Sequence, residues 1–272
     1  KANLHHPMFL TIITDCEDGK ARARQETRYS VLFPQVNTSF IGVSSDLEAA
    51  GNLVDVLDAA GDSEGIIAVN VAPRHKAAKK WPNGTPFGYF WYNNILVVCT
   101  IDGEVLSLLK KFGIGDHVNV TDIRTVLSFA EYPVEVVEHA AKSQFRSFDY
   151  LPRLARIVWD KKEAPSEKLL FANIPDAPAG VWWIDSFGNC KTTLLPEDVQ
   201  FEHGSEREII LNGLAIKATC YRQLRDVPDY QTGLTLGSSG YGTKRFLELV
   251  VQGTSAAKHY DITQKDTFQL VK

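Results

Sequence analysis

The sequence Gly180-Val-Trp-Trp-Ile-Asp185-Ser-Phe-Gly-Asn189 contains a strand followed at once by a tight turn. Val181 to Ile184 is a β-branched and aromatic run of strand length, and Asp185 to Asn189 is a polar cluster typical of turns. Extended structure resumes at Thr192 to Leu195. The stretch therefore predicts two strands joined by a short polar turn at the mouth of a sheet.

The turn carries side chains that suit a small polar ligand. Asp185 can bind an ammonium group or two hydroxyls, Phe187 can stack on a flat ring, and Asn189 can both donate and accept hydrogen bonds. Gly188 permits a positive φ or a close approach of the backbone to a ligand. The alternative is a hairpin turn in which Asp and Asn serve only as turn formers.

Three motifs, in the same order and at similar spacing, resemble those of one enzyme family. Ile184-Asp-x-Phe-Gly-Asn-x-x-Thr192 is similar to the C-terminal-domain signature of the S-adenosylmethionine (SAM) hydroxide adenosyltransferases. That superfamily also contains the fluorinase and the chlorinase. Gly237-Ser-Ser-Gly240 with Leu247 to Ala257 forms the second match, and Leu10-Thr-Ile-Ile-Thr-Asp15 resembles the family's opening strand. The resemblance covers both ends of the chain and implies SAM as the ligand.

Length and composition define the broad class. The 272 residues are enough for two domains of ordinary size. A hydrophobic content of 44% and a charged content of 23% are those of a soluble globular protein. The net charge of -4 gives no reason to expect nucleic acid or an anionic membrane as a partner. No apolar run approaches the roughly 20 residues that span a bilayer.

The cysteines indicate the compartment. Cys16, Cys99, Cys190 and Cys220 are widely spaced and form no CxxC pair. We therefore expect reduced thiols in a cytoplasmic protein, with no metal site. No charged and then apolar leader opens the given sequence, so we expect no secretion. We expect no cofactor beyond SAM itself, which is the substrate.

Residues 1–160 predict an α/β domain. Strand patterns alternate there with helical patterns, at Phe9–Thr14, Lys20–Leu32, Ser39–Val43, Asp46–Ala60, Gly65–Val71, Ile95–Thr100 and Glu104–Phe112. Such alternation favours a mostly parallel sheet that is covered on both faces.

The rest of the chain changes character. Residues 161–179 carry several prolines among charged residues, which predicts a linker. Residues 180–272 show short strand patterns separated by turn residues. They predict a smaller all-β domain, a barrel or a sandwich.

The resemblance assigns ligand contacts to the first strand and to the polar turn. Asp15 ends the first strand, where open α/β sheets bind ligands, and the matching aspartate of the family holds the ribose hydroxyls of SAM. Asp185, Phe187 and Asn189 match the family's contacts to methionine and adenine. The alternative for Asp15 is a helix-capping or turn residue.

The resemblance assigns further contacts near the C-terminus. Ser238 and Ser239 match the polar turn that holds the methionine carboxylate, where some relatives carry an arginine at the second position. Gln252, Gly253 and Thr254 fall where the backbone contacts the adenine edge.

The reaction centre departs from the family pattern. The hydrolytic members carry Asp-Pro-Gly-Val-Gly and His-Gly-Arg-Asp segments, whereas this chain has Val69-Asn-Val-Ala-Pro-Arg-His75 and Phe145-Arg-Ser-Phe-Asp149. His75 is the candidate base for a water, because imidazole titrates near neutrality; the alternative is a solvated loop. Arg146 and Ser147 complete the candidate catalytic set. Phe145, with Ser147, resembles the halide pocket of the fluorinase and is a candidate substrate contact.

The segment Trp81 to Tyr92 combines many aromatic residues with proline and glycine. We expect a lid, an interface pad or core packing under a long loop, and no regular strand.

The expected function is hydrolysis of SAM to adenosine and L-methionine, by nucleophilic attack at C5′. The alternatives are a SAM- or nucleoside-binding protein without catalysis, and a halide-dependent synthase of 5′-halo-5′-deoxyadenosine. The resemblance also implies a homotrimer whose pocket lies at the subunit interface.

Overall fold

The computed structural model describes residues 7–71, 85–264 and 266–270. The chain divides into two units, Lys1–Pro175 and Asp176–Lys272. The division falls within the segment 161–179 that the sequence predicts as a linker. Part of that segment, Glu167–Leu170, is a strand of the first unit.

The strands of the first unit build one sheet. They are β1 (Phe9–Thr14), β2 (Asn37–Gly42), β3 (Gly65–Asn70), β4 (Phe87–Tyr92), β5 (Ile95–Thr100), β6 (His117–Thr121) and β7 (Glu167–Leu170). Within the described residues the sheet has seven strands in the order β2-β1-β3-β5-β4-β6-β7. Strands β2, β1, β3 and β5 are parallel neighbours, whereas β4, β6 and β7 pair antiparallel.

The prediction of a mostly parallel sheet is therefore wrong. The cause is a hairpin, because Tyr92 pairs with Ile95 across the two-residue turn Asn93-Asn94. Asn93 has φ 51°, a conformation that asparagine tolerates in such turns. A two-residue turn reverses the chain, so β4 pairs antiparallel with β5. Strands β6 and β7 then extend the sheet with further antiparallel pairings. The expectation of no regular strand in the aromatic segment is wrong for Phe87–Tyr92, while residues 81–84 lie outside the described part of the chain.

The helices of the first unit cover both faces of the sheet. They are α1 (Gly19–Leu32), α2 (Asp46–Ala60), α3 (Ser107–Phe112), α4 (Ile123–Phe129), α5 (Val134–Lys142), α6 (Arg146–Asp149) and α7 (Leu151–Lys161). Leu10 and Ile12 of β1 share a core cluster with Tyr29 of α1 and Leu154 of α7. Helix α2 contacts β1 and β3 but contributes nothing to that cluster, so it lies on the other face.

Helix α2 shows how local sequence sets an element. Ser45 precedes the helix, and its hydroxyl accepts from the Glu48 amide at 3.1 Å. Gly61 ends it with φ 55°, a left-handed value that glycine adopts easily. The predicted bounds, Asp46–Ala60, are confirmed.

The second unit also contains a mixed sheet. Its strands are β8 (Val181–Ile184), β9 (Cys190–Thr192), β10 (Glu206–Leu211), β11 (Leu214–Tyr221), β12 (Thr232–Tyr241), β13 (Lys244–Val251) and β14 (Phe268–Leu270). Among the described residues there are seven, in the order β14-β10-β11-β12-β13-β9-β8. A short helix, α8, spans Ala256–Tyr260.

The prediction of a small all-β barrel or sandwich is wrong. Strands β11 and β12 are parallel, and the other neighbours are antiparallel. Parallel neighbours need a long crossover, and residues 222–231 provide it through a turn of 3₁₀ helix at Leu224–Asp226. Short strand patterns in a sequence do not distinguish this crossover from a hairpin loop. Across the described residues, no helix has the length and apolar composition needed to cross a membrane.

Candidate functional site

The turn between β8 and β9 is held by the Asp185 carboxylate. Its Oδ1 accepts from the amides of Phe187 at 2.9 Å and Asn189 at 3.0 Å. Its Oδ2 accepts from Asn189 Nδ2 at 3.1 Å. The backbone closes the same turn, because the Gly188 amide donates to Asp185 O at 2.9 Å. Asp185 thus uses three acceptor contacts to fix the positions of Phe187 and Asn189.

This geometry also fixes the orientation of the Asn189 amide. A carboxylate only accepts hydrogen bonds, so the side-chain nitrogen of Asn189 must face Asp185. Asn189 Oδ1 is then left as an acceptor for a donor group of a ligand. Phe187, one position after Ser186, is 78% exposed and offers a ring face.

Gly188 ties this turn to a second one. It has φ 83°, and a Cβ built there would lie 1.9 Å from Ser255 Oγ. The Ala257 amide donates to Gly188 O at 3.0 Å. Ser255 in turn caps α8 by accepting from the Lys258 amide at 3.1 Å. Only glycine allows this approach, so the two turns are in direct contact.

A cavity of about 420 Å³ lies where the two turns meet. It is lined by Phe187, Asn189, Leu224, Val251, Gln252, Gly253, Thr254 and Ser255. The structure therefore brings together five residues that the sequence proposes as ligand contacts, from two distant segments. Gly253 has φ 78°, and among the described residues its amide and carbonyl have no hydrogen-bond partner. The cavity can hold a flat ring against Phe187 and contact its edge through the main chain.

Ser238 and Ser239 lie elsewhere in the second unit. They sit in an irregular part of β12, between Leu236 and Gly240, and they do not line this cavity. Ser239 is buried, whereas Ser238 is exposed and its carbonyl accepts from the Arg245 guanidinium at 3.2 Å. Sequence reasoning missed Arg245. Arg245 lies on β13 opposite Gly240, so its nearness to Ser238 becomes visible only when the pairing of β12 with β13 is known.

Asp15 occupies the carboxyl edge of the parallel strands of the first unit. It follows β1 directly and is partly buried, and its amide donates to Asn70 O at the end of β3 at 3.2 Å. Asn70 is buried and donates to Thr14 Oγ1 at 3.3 Å. This is the edge at which open α/β sheets bind ligands.

The same edge carries carboxylates that sequence reasoning missed. Asp46 Oδ2 accepts from the Glu104 amide at 2.9 Å. Burial, with the nearby Asp46 charge, raises the pKa of Glu104 to about 7. Asp102 is buried, and its Oδ2 has no hydrogen-bond partner in the described structure. The signal was the sequence Asp102-Gly-Glu104 directly after a buried strand. Within the described residues, no group of three His, Cys, Asp or Glu is placed to hold a metal ion.

The candidate catalytic residues of α6, Arg146 and Ser147, do not line a common cavity with the other described candidate residues. Ser147 is 4% exposed. The Arg146 guanidinium lies 5.4 Å from the Phe87 ring centroid, and burial lowers its pKa. Phe145 stacks on Phe148 with 5.5 Å between ring centroids and lines a different cavity of the first unit. His75 lies outside the described residues.

The two-unit architecture occurs in other solved structures. No family model and no curated protein matches the chain. A crystal structure of an uncharacterized conserved protein from Thermotoga maritima matches 97% of this chain and 100% of its own, with a TM-score of 0.67 and 14% identity. A conserved hypothetical protein from Thermus thermophilus matches 98% and 100%, with a TM-score of 0.55 and 15% identity. At these identities the likeness establishes the fold.

Proposed function

We propose that this chain binds SAM and hydrolyses it to adenosine and L-methionine. The observation that carries the proposal is the cavity of about 420 Å³ between the turns at Asp185–Asn189 and Gln252–Ser255. These two turns belong to two of the segments whose sequences resemble the SAM hydroxide adenosyltransferases. Two distant motifs that share one family resemblance and meet at one cavity support a common ligand.

The adenine ring of SAM fits the chemistry of this cavity. Phe187 provides an exposed aromatic face for stacking. Asn189 Oδ1 can accept from the exocyclic amino group, and the Gly253 main chain can pair with the ring edge. Asp185 acts on the ligand through the turn that it holds.

The remaining parts of SAM are assigned by the resemblance. Asp15 accepts from the ribose hydroxyls. Ser238 and Ser239 contact the methionine carboxylate, and the nearby Arg245 supplies a positive charge for it. The resemblance implies a homotrimer with the pocket shared between subunits, so light scattering should give about three times the chain mass of 30.3 kDa.

The reaction is a displacement at C5′. The water oxygen forms a bond to C5′ while the C5′–S bond breaks, and sulfur keeps the electron pair and leaves as the thioether of methionine. The proton of the attacking water passes to a base, for which His75 is the candidate. In-line placement of the water provides the rate enhancement, because the sulfonium is already a good leaving group.

One observation favours a second candidate, a SAM-binding protein without turnover. The segment Val69–His75 carries Asn70 where the hydrolytic members have their aspartate segment, and the Asn70 amide is engaged with Thr14. A neutral amide is not a base. The halide-dependent reaction has less support, because Ser147 is buried and does not line the cavity that Phe145 lines.

A product assay separates the three candidates. The protein is incubated with SAM in halide-free buffer, and the products are resolved by chromatography. Hydrolysis gives adenosine and methionine in equal amounts, faster as the pH rises through neutrality if His75 is the base. Intact SAM after hours, at protein concentrations near that of the substrate, would exclude hydrolysis and leave binding. A 5′-halo nucleoside that forms only with added halide would support the synthase.

A matched pair of variants tests the cavity itself. Phe187→Ala should weaken SAM binding by about 5- to 150-fold, because stacking of a base on an aromatic ring contributes roughly 1–3 kcal/mol. Leu214→Ala is the control, since Leu214 is 50% exposed in the same unit and does not line the cavity. Calorimetry that finds equal affinity for both variants would remove the adenine assignment.

A further inference from the structure

Two arginines of α1 converge on an aromatic pair in the first unit. The Arg24 guanidinium carbon lies 4.4 Å from the Phe148 ring centroid and 5.0 Å from that of Phe145. The Arg28 guanidinium carbon lies 4.1 Å from the Phe148 centroid. Arg24 and Arg28 are one helical turn apart, a spacing at which like charges repel.

Neither arginine has an ion-pair partner within the described residues. Other arginines of the same unit are paired. Arg22 contacts Glu26 at 3.1 Å, and Arg156 contacts Asp160 at 2.6 Å. The charges of Arg24 and Arg28 are therefore not neutralised by a carboxylate in the described part of the chain.

A third arginine adds to this positive charge. Arg153 of α7 donates to the main-chain oxygen of Asp149. Burial lowers the pKa of Arg153, and the charge of Arg28 lowers it further. Arg28 and Arg153 are thus close enough to repel each other. An anion bound near these side chains would reduce the repulsion.

Arg24 faces a cavity of about 570 Å³. The cavity is lined by Arg24, Glu138, His139, Lys142, Ser143, Gln144, Phe145 and Asp149. Both carboxylates on its wall already have ion-pair or hydrogen-bond partners within the protein. Glu138 pairs with Arg124 at 2.8 Å and with Lys142 at 3.1 Å, and these contacts lower its pKa to about 2. Asp149 Oδ2 accepts from Ser143 Oγ at 2.5 Å.

We propose that this cavity binds a small phosphate-bearing molecule, with the phosphate held by Arg24, which lines the cavity, and attracted by the charge of Arg28, which lies beside it on the Phe148 ring. A guanidinium that lies on an aromatic ring keeps the N–H groups at its edge available, and their fork matches two phosphate oxygens. Phe145 and Phe148 hold the fork in place and so reduce the entropy lost on binding. Gln144 supplies a neutral donor for the rest of the ligand, whereas the Ser143 hydroxyl already donates to Asp149. The site is built only from residues of the first unit and takes nothing from the adenine cavity.

The test is calorimetry at low salt, with inorganic phosphate and a nucleoside monophosphate as the probes. Arg24→Ala should weaken binding at least tenfold, and Arg28→Ala should weaken it by a smaller factor, because Arg28 does not line the cavity. Arg22→Ala is the matched control, because it removes the same charge from the same helix but from a paired residue, and it should stay within about twofold of the wild type. Tighter binding of the ester than of phosphate identifies an ester ligand, and equal binding identifies the free anion.

Two results would overturn the proposal. One is the absence of saturable binding of either probe at millimolar concentration. The other is an equal loss of affinity in Arg22→Ala, which would indicate a general attraction to the positive surface. If Arg24→Ala fails to fold, Arg24→Lys keeps the charge and removes the fork; affinity equal to the wild type in that variant also contradicts the proposal. SAM turnover does not enter any of these measurements.

Discussion

The contact between Gly188 and Ser255 predicts that adding a methyl group at position 188 destabilises the protein. A Cβ at position 188 would lie 1.9 Å from Ser255 Oγ, 2.5 Å from its Cβ and 3.0 Å from its Cα. The backbone at Gly188 also has φ 83°. Alanine at a left-handed φ costs roughly 1–2 kcal/mol, and overpacking adds roughly 1–3 kcal/mol. We therefore expect Gly188→Ala to lower the free energy of unfolding by about 2–5 kcal/mol.

Gly204 provides a control that separates the two causes. It lies in the same unit with φ 82°, and a Cβ there meets nothing within 4 Å. Gly204→Ala should therefore cost only the backbone part, roughly 1–2 kcal/mol. Urea unfolding followed by tryptophan fluorescence measures both variants, because Trp182 is buried in this unit. The difference between the two variants is the energy of the clash with Ser255.

The same substitution should affect the ligand. Moving the Gly188 turn away from Ser255 displaces Phe187 and Asn189 from the cavity wall, so SAM affinity should fall in Gly188→Ala and not in Gly204→Ala. If the two alanine variants have unfolding free energies within about 0.5 kcal/mol of each other, a span typical of unimportant surface changes, the close packing of the two turns is refuted.

Three further predictions concern charged groups. Burial raises the pKa of Glu104 to about 7 from its ordinary 4.5. The folded protein therefore binds this proton more tightly than the unfolded chain, and its stability falls as the pH rises between those two values. Glu104→Gln should reduce this pH dependence of stability in thermal melts from pH 4 to pH 8. Lys191 and Glu248 form a pair with side chains 8% and 13% exposed, so Lys191→Met should destabilise by about 3–5 kcal/mol; Lys217→Met, at an exposed pair, should cost at most about 1 kcal/mol by the same urea assay. Asp185→Ala should weaken SAM binding at least tenfold by calorimetry, because the turn loses its three acceptor contacts.

The elements of the parallel half of the first sheet follow directly from sequence. Phe9–Thr14 and Ile95–Thr100 are strands with the predicted bounds. They are buried on both sides, so a run of mostly apolar and β-branched residues is enough to identify them. Helix α2 was equally predictable, because its capping serine and terminal glycine act within one turn of the chain.

The antiparallel half was missed because its signal lies in a turn. Proline and glycine at positions 82–88 argued against a strand, whereas Asn93-Asn94 is the feature that fixes the hairpin. Strand β7 is short and mostly exposed at the edge of the sheet, and within the described residues it pairs with β6 alone. An edge strand has little hydrophobic pattern to detect, so its assignment depends on a neighbour far away in the sequence.

The candidate site, too, depends partly on residues close together in the sequence and partly on contacts between distant segments. The polar turn offered two interpretations, a ligand contact and a turn former, and the geometry shows the turn-forming role for Asp185. Asp185 holds the turn with its carboxylate. Phe187 and Asn189 are thereby presented to the cavity. For Asp185 and Asn189 the residue types alone cannot separate the two roles, because both roles need a short side chain with an acceptor.

What separates the roles is the second turn. Gly188 alone suggests only a tight turn, and Ser255 alone suggests only a helix cap. Their contact requires that the polar turn and the turn after β13 lie side by side, and this follows from the pairing of β9 with β13. The cavity beside the turn, and with it the proposed ligand site, therefore depends on sheet order. The test by Gly188→Ala addresses that order, since it changes neither an acceptor nor an aromatic face but only the distance between the two turns.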